Sequence, residues 1–311
     1  MPRPVGLDPR EPFTRAEALA AGITPWELRT PAYVRVYRNI YVSREATRTI
    51  TLRSKAAIRV APPGSLLAHH TAALLWGGAV PPTSAIHIRV PAGETLRVNG
   101  IRTHLGLGSR AVGRRHGLPL TQPEQTFLDL AEDLDLVDLV VLGDRFVRRN
   151  VTTPEALIQA AAVWRGPQAE TSRRAAALVR AGVDSPAETR LRLMIVLAGI
   201  PEPTVNHILR DPDTGDWLRR FELAYEELRV AVEYEGRHHR DEDDVWASDI
   251  DRREELDRES WRIVQVISSG LFQNPLRTLQ RIEQARIDRG APPTRTFTEE
   301  WRRYFPGRDR L

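Results

Sequence analysis

The 311-residue chain is expected to be an α/β protein in the α+β sense, with a helical and winged N-terminal segment, a mixed α/β middle region and a C-terminal core built on a β-hairpin flanked by helices. Three observations lead there. Residues 221–235 (FELAYEELRVAVEYE) alternate apolar and charged side chains on both sides of a short polar turn, the period-2 pattern of paired strands. Capped helix starts with proline at the first helical position stand at Thr24-Pro25 and Ser185-Pro186. The length is large for one core, which predicts two or three domains.

In chain order, FTRAEALAAGITPWELRT (13–30) predicts a short helix, a turn at Gly22 and a second helix capped by Thr24. YVRVYRNIYVS (33–43) alternates like a small hairpin with a basic rim that includes Arg35 and Arg38. Helices followed by a β wing make a winged helix-turn-helix, whose second helix enters the major groove, so residues 1–60 are assigned to DNA binding. Charge agrees in direction: these residues carry eleven Lys or Arg against five Asp or Glu, whereas the whole chain is only +4. Such a basic end supplies nonspecific attraction to phosphates.

Pro62 and Pro63 mark a break near 60–64, and RGPQAE (165–170) marks another, which gives a middle domain at 61–168. There LAHHTAALLWG (67–77) reads as an apolar helix whose His69 and His70 cap and cover a core, and Thr121 to Leu134 as a capped amphipathic helix. Residues 135–149 and 153–164 continue as helices. This region is expected to be scaffold.

The third domain is placed at 169–290, followed by an Arg/Pro-rich tail at 291–311 in which Trp301 and Tyr304 dock a terminal helix. SPAETRLRLMIVLAGIP (185–201) starts with Ser185 as N-cap, Pro186 and Glu188, a capping-box pattern before an apolar stripe. A strand at 205–211, a turn at 212–215, the hairpin, an acidic helix at 241–257 and a short buried strand WRIVQVI (261–267) follow. If the hairpin turn centres on Glu226 and Glu227, residue 222 faces residue 231, and Glu222 shares a face with Glu233 and Glu235. Glu222 and Glu233 are then diagonal neighbours about 7–8 Å apart. Like charges this close raise one another's pKa unless a cation neutralises them, and hard divalent ions take such oxygen ligands. A solvated acidic face on a half-buried hairpin is the plain alternative.

SPAETRLR (185–192), RRFELAYEELRVAVEYEGRHHR (219–240) and DIDRREELDRESWRIVQV (249–266) together resemble the endonuclease-like domain related to the very short patch repair (Vsr) endonucleases, within the PD-(D/E)xK restriction-endonuclease superfamily. The resemblance covers about 185–290. It implies a restriction-endonuclease-like core and hydrolysis of DNA phosphodiester bonds with Mg²⁺ or Mn²⁺. By the same resemblance Glu222, Glu233 and Glu235 are metal-binding and catalytic, His239 is a general acid or base or a phosphate contact, and Glu188 assists from the leading helix. Asp251 and Arg252 correspond to a charged pair on the later helix, and Arg237 and Arg252 are assigned with Arg35 and Arg38 to nucleic-acid contacts. Two departures stand out: glutamate replaces the usual aspartate at 222, and Lys55 is the only lysine, so no lysine completes the motif.

FTRAEALAAGI, VRVYRNIYV, LAHHTAALLWG, IHIRVP (86–91), GIRTH (100–104) and GLPLTQPEQTFLDLAEDL (117–134) resemble the AbiEi family of type IV antitoxins. That resemblance implies autorepression of a toxin–antitoxin operon and a nucleotidyltransferase-type toxin as partner, with an inactive nuclease-like domain. The chain has no cysteine, which excludes disulfides and thiol catalysis, and the remaining histidines lack ligand spacing, so zinc is not expected. No stretch approaches the ~20 apolar residues of a membrane span, and the N-terminus lacks an apolar signal core; a cytoplasmic protein without membrane contact is expected.

Overall fold

The computed structural model describes residues 6–106, 112–211, 213–235 and 261–307, and these form helices and mixed sheets in an α/β arrangement. The chain divides into two compact units, Met1–Leu134 with Arg149–Ala177, and Asp135–Arg148 with Leu178–Leu311.

In the first unit, Phe13–Thr14 (β1), Arg15–Ala20 (α1), Tyr33–Tyr37 (β2) and Ile40–Ser43 (β3) follow the expected order, and the strands make an antiparallel sheet ordered β1-β3-β2. Thr14 caps α1 reciprocally with Glu17. The expected second helix is shorter than its cap suggests. Thr24 and Glu27 close a capping box, with the Glu27 carboxylate accepting from the Thr24 amide at 2.8 Å, yet only a 3-10 turn at Glu27–Arg29 follows. Pro31 is the physical reason, because it drives Thr30 out of the helical region, where its ψ is 162°. Arg35, on β2, and Arg38, in the turn between β2 and β3, are both exposed.

Ile50–Ile58 (α2) and His69–Trp76 (α3) pack with a five-stranded sheet of Leu66–Leu67 (β4), Ile86–Val90 (β5), Ile101–Leu105 (β6), Val112–Arg115 (β7) and Leu118–Thr121 (β8), ordered β6-β5-β4-β8-β7. β5 and β6 are parallel, as are β4 and β8. Leu67, Leu75, Ile86, Ile88, Val90 and Leu120 supply the core. The break expected near 60–64 is not a division between units. Lys55 pairs with Glu11 at 2.7 Å, Arg59 pairs with Glu17, and Tyr37 packs on the core of the larger sheet. The helix expected to begin at Thr121 begins at Pro123 and runs to Leu130 (α4), since Thr121 belongs to β8. Pro154–Val163 (α6) and Ala169–Leu178 (α7) complete the described helices of this stretch.

The second unit is assembled from two separate stretches. Leu136–Arg148 (α5) packs against Pro186–Leu197 (α8), and the reason is a buried charge pair. Arg192 is fully buried; its Nη2 donates to Asp144 Oδ2 at 3.1 Å and to the Leu178 carbonyl at 2.9 Å, while its Nη1 reaches Glu202 at 2.7 Å. Asp144 also accepts from the Arg180 amide at 2.8 Å and the Thr189 hydroxyl at 2.9 Å. Burial pushes the Asp144 carboxyl upward, opposed first by Arg192. Such a pair holds because nearly every remaining valence is hydrogen-bonded.

Thr204–Arg210 (β9), Trp217–Tyr225 (β10), Val230–Glu235 (β11) and Arg262–Ile267 (β12) form one sheet ordered β12-β11-β10-β9, with β11 and β12 parallel and the other pairs antiparallel. The β9–β10 turn is organised by Asp211, whose Oδ1 accepts from the amides of Asp213 and Thr214. Phe221 stacks on Trp261 with ring centroids 4.5 Å apart, and Ala224 and Ala231 close that core. Ser268–Phe272 (α9) and Pro275–Ile287 (α10) follow β12. The segment expected to be a tail is built into this unit: Trp301 and Phe305 are 1% and 2% exposed, and the Thr298 amide donates to the Ala198 carbonyl. A 3-10 turn at Glu300–Arg303 stands where a terminal helix was expected.

Replacing Arg192 with Ala strands Asp144 in the interior and is expected to cost about 3–5 kcal/mol. Combining R192M with Asp144→Leu is expected to recover most of that loss in urea denaturation. A double variant no more stable than R192A would count against the pair as the anchor of α8.

Candidate active site

The hairpin turn is longer than expected. Leu223 faces Val232, Ala224 faces Ala231 and Tyr225 faces Val230, so the loop is the 3-10 turn Glu226–Leu228 closed by Arg229 in the left-handed region at φ 51°. The register thus moves by two residues from the expected one. Because strands repeat every two residues, the faces survive: continued one step, the register sets Glu222 directly opposite Glu233 rather than diagonal to it, with Glu235 further along the same face.

Neither face of this hairpin is left open. Val230, Ala231 and Val232 are all buried, and α8 packs on β10 and β11. The acidic face is therefore half-covered, with Glu222, Glu233 and Glu235 each partly buried. Glu188, 5% exposed on α8, stands close enough to raise the Glu222 carboxyl, as does Glu233. Burial is the largest cause, and together these push Glu222 up to about 7, against the lowering effect of a hydrogen bond from the Tyr234 amide to its Oε2 at 2.6 Å.

Each neighbour has its own partner. Glu188 receives the Asp184 amide at 3.0 Å, while its own amide donates to the Ser185 hydroxyl, so the capping function and the place in the acidic group coexist. Burial again raises its carboxyl. Arg219 Nη2 donates to both oxygens of Glu233 at 2.9 and 2.8 Å. Arg220 pairs with Asp184 at 2.7 Å and stabilises the charged form of Glu222. The sequence RRFE thus supplies two cations to an acidic group that lacks lysine, a role that the alternating pattern did not reveal.

The donor set fits a hard divalent ion in kind, since Glu188, Glu222 and Glu233 offer carboxylate oxygens and a bound cation would relieve the mutual repulsion at Glu222. Glu233 would exchange Arg219 for that ion. Their oxygens are spread in this state: among the described residues, the ligand sets whose atoms all lie within 4.8 Å of one another are histidine sets, and no hairpin glutamate belongs to either. Of the residues assigned from the sequence, Glu188, Glu222 and Glu233 come together, Glu235 lies on the same strand as Glu233, and Arg35 and Arg38 sit on the β2–β3 hairpin in the first unit. His239, its neighbour His238, Arg237, Asp251 and Arg252, with the expected helix at 241–257, lie outside the described residues.

Comparison with known proteins gives two relatives from Mycobacterium tuberculosis, the uncharacterized protein MT2308 of strain CDC 1551 / Oshkosh and the uncharacterized protein Rv2248 of strain ATCC 25618 / H37Rv. Each is 25% identical over 258 residues, covering 82% of this chain and 93% of the relative. No protein-family profile matches the chain.

Proposed function

We propose that this chain is a cytoplasmic DNA-binding protein whose second unit is a Vsr-like, metal-dependent endonuclease hydrolysing phosphodiester bonds. The observation that carries this reading is the half-buried Glu222, opposite Glu233 and beside Glu188, with its carboxyl raised to about 7. A covered group of acids at the expense of stability is a feature of sites that work on charged ligands. The order of elements supports it as well, because the helix carrying Glu188 packs against the hairpin strands that carry Glu222 and Glu233. Glu222, Glu233 and Glu188 would hold Mg²⁺ or Mn²⁺, and the ion would supply an activated water and charge neutralisation at the phosphate. Arg219 holds Glu233 through two hydrogen bonds and, as a planar donor, is suited to receive a phosphate oxygen when the substrate enters. The exposed Arg35 and Arg38 would hold the DNA backbone.

One observation favours a second reading, in which the chain is an AbiEi-like antitoxin and transcriptional autorepressor with a silent nuclease fold and a nucleotidyltransferase-type toxin as its partner. Both oxygens of Glu233 are already taken by Arg219. An internal cation that satisfies the acid removes the need for a metal.

Incubation of plasmid and promoter DNA with the full chain and Mg²⁺ or Mn²⁺ separates the two. Cleavage is expected, with Glu222→Gln lowering the rate by roughly 100-fold or more, as loss of a group acting in the transition state does, while DNA binding is retained. Binding without cleavage in either metal would leave the repressor reading.

Protonation gives an independent check. Folded Glu222 holds its proton to about 7 and the unfolded group to its ordinary 4.5, so its contribution to stability is full below 4.5 and is lost as pH rises to 7. Glu222→Gln removes that decline and is expected to gain on the order of 1–3 kcal/mol over wild type above pH 7, part of the full shift being screened by solvent. Parallel pH–stability curves for the two proteins would refute the raised carboxyl.

Changing Arg35 and Arg38 together to Ala is expected to weaken DNA binding about equally across sequences. The slope of log affinity against log salt should fall by roughly 2 in fluorescence anisotropy, one unit for each phosphate contact. An unchanged slope would move the contact surface off the wing.

A further inference from the structure

The first unit buries a group of histidines that the hairpin site does not use. Along β5, Ile86, Ile88 and Val90 point into the apolar core, which leaves His87 and Arg89 on the opposite face. The parallel pairing of β5 with β6 sets His87 beside Arg102 and Arg89 beside His104. α3 begins with His69 and His70, and Asp133 follows α4. His69, His70 and His87 are 4%, 8% and 1% exposed. Histidines scattered over 36 positions of sequence thus meet in space, which removes the premise on which zinc was set aside.

Their nitrogens are not equally occupied. His69 Nε2 accepts from Arg89 at 3.1 Å, which leaves its Nδ1 to donate to Asp133 Oδ2 at 3.3 Å, and its ring is stacked on His104 with centroids 3.6 Å apart. His69 is therefore committed to orienting Asp133, and its backbone is held in the left-handed region at φ 48° to do so. His70 Nδ1 is buried without a hydrogen-bond partner, 3.9 Å from Asp133 Oδ2. His87 Nδ1 and His104 Nε2 lie 3.1 Å apart. Two imidazole nitrogens bound at about 2.0–2.1 Å on a tetrahedral ion stand only slightly further apart, so small ring rotations would suffice. Potential ligand atoms of His70, His87 and Asp133 all lie within 4.8 Å of one another.

We propose that this pocket binds a divalent transition-metal ion of the zinc class, with His70, His87 and Asp133 as protein ligands, His104 as the adjacent nitrogen donor, and His69 as the residue that orients Asp133. Imidazole nitrogens with a single carboxylate select such ions over Mg²⁺ or Ca²⁺. The hydrogen bond from His69 to Asp133 is the outer-shell support that ligating carboxylates characteristically have. The ion would tie together α3, β5, β6 and the segment after α4.

The test uses the full chain, stripped with a chelator and titrated with Co²⁺ and then Zn²⁺. One Co²⁺ per chain with visible ligand-field absorption is expected, displaced by Zn²⁺, with the melting temperature raised by several degrees. His116→Ala, in the exposed turn between β7 and β8, should retain this behaviour. His70→Asn should lose about tenfold or more in affinity, and because its Nδ1 makes no hydrogen bond the variant is expected to stay folded. Wild-type protein that shows neither Co²⁺ bands nor a Zn²⁺-dependent melting shift would overturn the proposal, as would folded His70→Asn and His87→Ala that bind as tightly as wild type.

Discussion

The guanidinium of Arg192 is the constraint on which the second unit depends. It occupies a place where water is absent, so α8 can stand there only while Asp144, Glu202 and the Leu178 carbonyl are all in position. One turn earlier on the same helix is Glu188. A helix fixed through residue 192 therefore also fixes the carboxylate at 188 against the hairpin, since side chains four residues apart lie over one another. The high proton affinity of Glu222 is a downstream result of that placement, because it arises from the helix that covers the strand as well as from the acid the helix delivers. The site is thus held by an ion pair with no part in its chemistry.

The sequence was informative where a local rule decides the outcome. The start of α8 at Ser185-Pro186 follows from capping chemistry, and the faces of the hairpin follow from the period of a strand. The length of the turn was not legible. Nothing in EELR announces that Arg229 takes a left-handed conformation, which is usually signalled by glycine or asparagine, so the register moved by two. Parity protected the conclusion about Glu222 and Glu233; a shift by one would have reversed it.

Burial was the quantity that the sequence concealed most. Arg192 in SPAETRLR has the look of a surface arginine, and only the arrival of α5, whose Asp144 lies 48 residues earlier, makes it internal. IHIRV alternates apolar and polar residues as a strand does, but its polar face would ordinarily meet solvent. Here α3 and β6 bring further histidines to that face, and an exposed pattern becomes an interior polar layer. Residues that gather through tertiary contacts leave no spacing to read. The same limit applies to Arg219 and Arg220, whose acidic partners lie 14 and 36 positions away.

The second unit is discontinuous, with Asp135–Arg148 separated from Leu178–Leu311 by a stretch that belongs to the first. This has a consequence for how the protein can be made and divided. A ribosome releases α5 well before its partner helix exists, so Asp144 waits in a solvated, unpaired state until residue 192 has emerged. A gene cut at the apparent linker would yield one fragment carrying an orphan acid and another carrying an orphan base. No single cut in the chain separates the two units.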